Sequence, residues 1–146
     1  MVARILLVEA RYYAPIADEL LRGAVAELER AGADHDRLTV PGAFEIPAAI
    51  GFAHFSRQGY DGYVALGCVI RGETSHYDLI CTECSRGLQE LALRERLAIG
   101  FGVLTVENEA QALVRARFDR KNKGGEAVRA CLAMVELKSR FGFGAP

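Results

Sequence analysis

The chain has 146 residues, 51% hydrophobic and 25% charged, the balance of one soluble globular domain that buries a core without staples. Its 18 Lys and Arg against 19 Asp and Glu leave a formal net charge of -1, no footprint for nucleic acid or an anionic membrane, so an anionic ligand must be held locally. No apolar run approaches the ~18 residues of a membrane span, and the stretch 1–10 lacks a cleavable signal pattern, which predicts a cytoplasmic protein.

Arg4 to Ala10, with Ile5, Leu6, Leu7 and Val8 in succession, predicts a strand buried on both faces. It opens into Arg11-Tyr12-Tyr13-Ala14-Pro15. Pro15 suits a first helical turn, Ile16, Leu20, Ala24 and Leu28 repeat every four residues, and Gly32 ends the helix. The two tyrosines follow strand one, where at least one is either a stacking platform or part of the core.

Leu38, Thr39 and Val40 predict a short second strand that halts at Pro41-Gly42. The apolar Ala48, Ala49, Ile50, Phe52, Ala53 and Phe55 then favour a helix. Glu45, flanked by Phe44 and Ile46, either rests at the positive end of that helix's dipole or accepts hydrogen bonds from a polar ligand.

Val64 to Ile70 is an almost unbroken apolar run, a third buried strand, which stops at Arg71-Gly72. Glu73, Thr74, Ser75 and His76 form a polar turn, and Ser75 with Asp78 fits a capping box opening a helix that runs to about Arg94. Such a junction presents free backbone N–H groups to an anion, and His76 is suited to move protons near neutral pH. Cys81 and Cys84 form a C-x-x-C pair that suggests metal or redox chemistry. The same spacing is one helical turn on the stripe Tyr77, Ile80, Cys81, Cys84, Leu88 and Leu91, and no second pair has metal spacing; buried core cysteines and no metal are expected.

Leu97, Ile99, Phe101, Val103 and Leu104 predict a fourth strand, and Asn108 caps a short helix over Glu109 to Ala116. Arg115, Arg117, Arg120, Lys121 and Lys123 read as a mostly solvated basic segment ending at Gly124-Gly125. A last helix follows, with Val128, Cys131, Leu132 and Val135 inward, and then a tail, Phe141 to Pro146, without periodicity that frays or packs on a neighbour. Strands alternating with helices predict a parallel sheet between helical layers, in one domain spanning 1–146. Tyr12, the run 41–45, the run 72–76 and the run 105–108 all follow strands, so the unusual residues gather along one edge of the sheet as an active site.

Four motifs, Pro41-Gly42-Ala43-Phe44-Glu45-Ile46-Pro47, the stretch Leu66 to Asp78 (L-G-C-V-I-R-G-E-T-S-H-Y-D), Phe101-Gly102-Val103-Leu104-Thr105 and Asn122-Lys123-Gly124, resemble in order and spacing the 6,7-dimethyl-8-ribityllumazine synthases of riboflavin biosynthesis. The resemblance covers nearly the whole chain. It implies a flavodoxin-like three-layer α/β/α sandwich with a central four-stranded parallel sheet, and a homopentamer with active sites between neighbours. The implied reaction joins 5-amino-6-(D-ribitylamino)uracil to 3,4-dihydroxy-2-butanone 4-phosphate, releasing phosphate and water, with no metal or organic cofactor.

By the same resemblance Tyr12 stacks on the pyrimidine, and Ala43, Phe44, Glu45, Cys68, Val69 and Ile70 contact the pyrimidine and ribityl groups. Glu73 and Thr74 form the phosphate turn, and His76 transfers protons. From an adjacent subunit, Phe101 covers the site, Lys123 lies near it and Arg115 binds the phosphate, with Glu126 expected to pair with Arg115. A carboxylate beside a phosphate repels it, so Glu73 is expected to point outward with only its backbone N–H facing the ligand. The segment Arg117-Phe118-Asp119-Arg120-Lys121 lacks the Gly-Thr-Lys-Ala-Gly type of run seen in members that build sixty-subunit shells, which favours a free pentamer. Two other readings compete. A non-catalytic flavin or lumazine binder of the same fold needs Tyr12, Phe44 and Glu45 but neither His76 nor Arg115. A receiver-type domain needs clustered acids for a metal, whereas Glu9, Glu45 and Glu107 stand apart in sequence.

Overall fold

The apolar runs of the sequence become the middle layer of the molecule. A computed structural model describes residues 2–144. In chain order the elements are β1 (Arg4–Ala10), α1 (Ala14–Ala31), β2 (Asp34–Val40), a 3-10 turn (Ala43–Glu45), α2 (Ile46–Phe55), β3 (Gly62–Ile70), α3 (His76–Glu95), β4 (Ile99–Val106), α4 (Glu109–Ala116) and α5 (Lys123–Arg140). The four strands pair in parallel in the order β2-β1-β3-β4. Because successive side chains of a strand point to opposite faces, the apolar run of β1 feeds two cores at once. Ile5 and Leu7 join Val64 and Leu66 beneath α1, α4 and α5, while Leu6 and Val8 join Tyr63 and Ala65 beneath α2 and α3. This is the three-layer α/β architecture read from the sequence.

The helices bury the expected stripes. Ile16, Leu20, Ala24 and Leu28 of α1 are all buried, and Gly32 ends the helix in the left-handed region at φ 69°. Asn108 caps α4, its side-chain oxygen accepting from the Gln111 N–H at 2.9 Å. On α5, Val128 and Cys131 are fully buried, with Leu132 and Val135 packed against the same core.

Several expectations are corrected. Strand β2 begins at Asp34 rather than Leu38, because its backbone pairs with β1 from Arg4↔Asp34 onward. As an edge strand it carries polar side chains that hide it from an apolar-run search. β4 likewise continues to Val106, paired with Ile70. Helix α5 starts at Lys123, so Gly124 and Gly125 lie in its first turn rather than before it. Their position follows from packing against α1: a Cβ on Gly124 would sit 2.1 Å from the Leu20 carbonyl oxygen. Ser75 flanks α3 but its side chain caps nothing; Thr74 Oγ1 accepts from the His76 N–H at 3.3 Å, and Asp78 faces Arg71 at 3.6 Å. All four cysteines are free; Cys84 and Cys131 are buried, whereas Cys68 and Cys81 are only half-buried. In the tail, Phe143 lies under the Arg96 guanidinium at 4.9 Å, and Ala145 and Pro146 fall outside the described residues. Among the described residues no helix is long and apolar enough to cross a membrane.

Candidate functional site

Strand order 2-1-3-4 has a switch point between β1 and β3, where the chain stops winding toward one edge and starts toward the other. The loops leaving those two strands diverge there and leave a crevice at the carboxyl end of the sheet. A cavity of ≈ 650 Å³ opens at this point. Its walls are Ala10, Tyr12 and Tyr13 after β1, Pro41 to Glu45 after β2, Cys68, Val69 and Ile70 at the end of β3, and Gly72, Thr74, His76, Tyr77, Leu79 and Ile80 from the turn and first helical residues that follow. Three chain segments distant in sequence thus meet around one space.

Of the paired tyrosines, one packs on the core and the other is exposed. Tyr12 is 76% exposed, too open for a core residue, and its ring meets Tyr13 edge-on with centroids 4.9 Å apart and planes at 75°. Tyr13 packs against the core under α1, and burial raises its phenol above the ordinary tyrosine range. Across the cavity the 3-10 turn holds Phe44 exposed and Glu45 half-buried, with Ala43 buried beneath them. Burial pushes the Cys68 thiol up to about 11, so at neutral pH Cys68 is an uncharged part of the wall rather than a nucleophile.

Beyond β3, Thr74 and His76 both line the cavity, and only the backbone N–H of His76 is engaged by Thr74, at 3.3 Å. The Glu73 side chain is exposed and lies outside the lining. Arg71 braces this turn: its Nε donates to Glu107 Oε2 at 2.8 Å and its guanidinium stacks over the Tyr77 ring at 4.3 Å. The sequence reading passed over Arg71, Tyr77, Leu79 and Ile80 as cavity-building residues. A signal was present, because Leu79 and Ile80 stand three and four residues beyond His76 and so share its helix face.

The remaining three expected site residues are elsewhere. Phe101, 49% exposed on edge strand β4, lines a separate groove with Thr82, Ser85 and Gln89 of α3. Arg115 on α4 donates from Nη1 to the Gln111 carbonyl at 3.1 Å. Lys123 Nζ pairs with Glu126 at 3.0 Å. The expected Glu126–Arg115 pair is therefore not formed within the chain; three residues apart on one helix, Lys123 takes Glu126 instead. Among the described residues no group of three or more His, Cys, Asp or Glu could hold a metal ion.

Comparison with known proteins agrees with the motif reading. The family model described as 6,7-dimethyl-8-ribityllumazine synthase matches residues 2–139. Relatives carrying the name 6,7-dimethyl-8-ribityllumazine synthase include one from Bartonella tribocorum (strain CIP 105476 / IBS 506), 58% identical over 138 residues, or 94% of this chain and 91% of the relative. Another, from Agrobacterium fabrum (strain C58 / ATCC 33970), is 55% identical over 142 residues, covering 94% of this chain and 96% of the relative. A third, from Paramagnetospirillum magneticum (strain ATCC 700264 / AMB-1), is 53% identical over 146 residues, covering 96% of this chain and 97% of the relative.

Proposed function

The chain belongs to the 6,7-dimethyl-8-ribityllumazine synthase family, and from that premise we propose that the cavity between β1 and β3 is where it joins 5-amino-6-(D-ribitylamino)uracil to 3,4-dihydroxy-2-butanone 4-phosphate. The chain is a transferase of riboflavin biosynthesis. The observation that carries the site reading is the meeting of Tyr12, Phe44, Glu45, Thr74 and His76 around one cavity of ≈ 650 Å³. Tyr12 offers an exposed ring face on which the pyrimidine stacks. Ala43, Phe44 and Glu45 face it across the cavity, and Glu45 accepts hydrogen bonds from ring or ribityl donors. Cys68, Val69 and Ile70 supply an uncharged wall with backbone polar groups.

The phosphate rests at the turn before α3, where unpaired backbone N–H groups and the helix dipole favour an anion. Glu73 contributes its N–H there and keeps its exposed carboxylate in water. The amine of the pyrimidine attacks the ketone and expels a first water to form an imine, phosphate is eliminated, and ring closure expels a second water; His76, whose ring is exposed at the cavity, relays protons between these steps. Holding two substrates in one geometry supplies much of the acceleration, up to ~7–11 kcal/mol in well-oriented reactions.

The site is completed by a neighbour in a homopentamer of free five-chain rings. What supports this is that Phe101, Arg115 and Lys123, the other groups the chemistry needs, lie outside the chain's own cavity and at its surface. Arg115, with a forked set of donors, then binds the phosphate of the next subunit's substrate. The enzyme works in the cytoplasm. A spectrophotometric assay of lumazine formation from the two substrates, with and without chelator, tests the reading. Turnover unaffected by chelator is expected; a stoichiometrically bound flavin without turnover would overturn it. Light scattering reads the mass, expected at five chains.

A further inference from the structure

Glu9 is buried to 1% exposure, yet neither the sequence reading nor the proposed chemistry uses it. A carboxylate taken out of water costs free energy unless its oxygens are paired, and here both are. Oε1 accepts from Arg11 Nη1 at 2.7 Å and Oε2 from Arg37 Nε on β2 at 2.9 Å. Arg11 also reaches Asp18, on the second turn of α1. One guanidinium therefore joins the end of β1 to the start of α1, across the three residues, Arg11 to Tyr13, that bear the exposed ring of Tyr12.

At its far end the connection is held by Tyr13, whose ring packs against the core and whose carbonyl accepts from the Ala17 N–H at 2.9 Å; its near end has fewer ties. Ladder pairing of β1 ends at Ala10, and Tyr13, the residue flanking α1, makes no side-chain capping bond. Tyr12 itself is 76% exposed and meets Tyr13 in a T-shaped contact with ring centroids 4.9 Å apart. Its direction is therefore set by the backbone on either side of it, held after it by Tyr13 and before it by Arg11. We propose that Glu9 is a positioning residue for substrate binding: through Arg11 it holds the loop that aims Tyr12 into the cavity. The role rests on reading Tyr12 as the platform for the pyrimidine ring.

The test is a double-mutant cycle in the full chain, read as separate KM values for the two substrates. Glu9→Gln keeps the side chain's shape and removes its charge. It is expected to raise KM for the ribitylaminouracil about 3- to 10-fold, the scale of a weakened aromatic contact, with kcat and the KM for butanone phosphate within about 2-fold. In a Tyr12→Ala background the same substitution should change nothing further, since residues acting through one another are not additive. If Glu9→Gln does not fold, Arg11→Met removes the half-exposed arm of the clamp while Glu9 keeps Arg37, and the same selective rise is expected. Equal deterioration of both KM values and kcat, or an undiminished effect without Tyr12, would overturn the proposal. If Tyr12→Ala alone leaves the pyrimidine KM unchanged, the platform reading itself falls, and the role of Glu9 with it. If Tyr12→Ala raises that KM and both clamp variants leave it alone, only the role of Glu9 falls.

Discussion

Replacing Gly124 with alanine pits a gain in helix propensity against a collision, and the geometry decides which wins. Alanine within a helix is favoured over glycine by about 1 kcal/mol. At position 124, however, the new Cβ would lie 2.1 Å from the Leu20 carbonyl oxygen and 2.9 Å from its carbon, both backbone atoms of α1. Carbon–oxygen contacts settle near ~3.3 Å, so α5 and α1 must part by roughly 1 Å. Helix α5 is also seated closely on the sheet, where a Cβ on Gly100 of β4 would meet the Ala127 carbonyl at 2.0 Å, so any shift disturbs a second tight contact. Overpacking of this kind costs ~1–3 kcal/mol, and the rigid backbone partner argues for the upper end. Net destabilisation is then about 2 kcal/mol, a fall in Tm of roughly 4–8 °C for a domain of this size. Gly51 in α2 is the control: nothing lies within 4 Å of its Cβ position, so Gly51→Ala should gain ~0.5–1 kcal/mol. Thermal unfolding at fixed protein concentration, which holds any contribution of assembly constant, reads both variants. A Gly124→Ala protein as stable as Gly51→Ala would refute the packing argument.

Arg115→Ala should lower kcat/KM for butanone phosphate by ~10- to 150-fold, the loss of hydrogen bonds to a charged group, while leaving the pyrimidine KM nearly unchanged; undiminished turnover at low butanone phosphate removes Arg115 from the site. His76→Ala should slow turnover by no more than ~10²–10⁴-fold, because proton transfer is one contribution beside positioning; complete loss of activity in a folded variant would show that it does more. Burial pushes the Cys131 thiol up to about 12, whereas an exposed thiol ionises near ~8.5. Between those values the unfolded chain holds fewer protons than the native one, so this thiol's contribution is intact below ~8.5 and lost as pH rises toward 12. Denaturant midpoints of Cys131→Ala should fall less steeply from pH 8 to 10.5 than those of the parent; parallel slopes would exclude the thiol as the cause.

How far the fold could be read ahead depended on whether side-chain type or backbone pairing controlled each segment. β1 and β3 declared themselves because burial on both faces demands continuous apolar side chains, and α1 because its stripe and its Gly32 stop are local chemistry. Asp34 to Arg37 could not be read that way, since an edge strand is held by ladder bonds that any side chain permits. The start of α5 was misplaced for a related reason: glycines ordinarily interrupt a helix, and only the approach of α1 explains Gly124 inside one. At the site, motif order singled out Tyr12, Phe44, Glu45, Thr74 and His76, which the fold brings to one cavity. Arg71 and Glu9 were invisible because their importance lies in partners, Glu107 for Arg71 and Arg37 beside the nearby Arg11 for Glu9, that only the fold brings together. The Ser75 cap failed because Ser75 lacks the extended backbone of a cap, at φ -73° and ψ 1°, and its own carbonyl accepts the Asp78 N–H at 3.0 Å.

The two separate cores have a consequence for mixtures of chains. The 3-10 turn and the start of α3 wall much of a chain's own cavity, while Arg115 and Lys123 ride on α4 and α5 on the opposite face of the sheet. In a ring where each chain lends that second layer to its neighbour, damage on the two faces falls on different sites. A chain crippled at His76 and another crippled at Arg115 are each poor alone. Unfolded and reassembled together, they restore intact pairings at some junctions, so the mixed population should exceed the average of its parents. Each subunit is then both host and guest, and complementation between two defective alleles becomes a direct measure of the assembly.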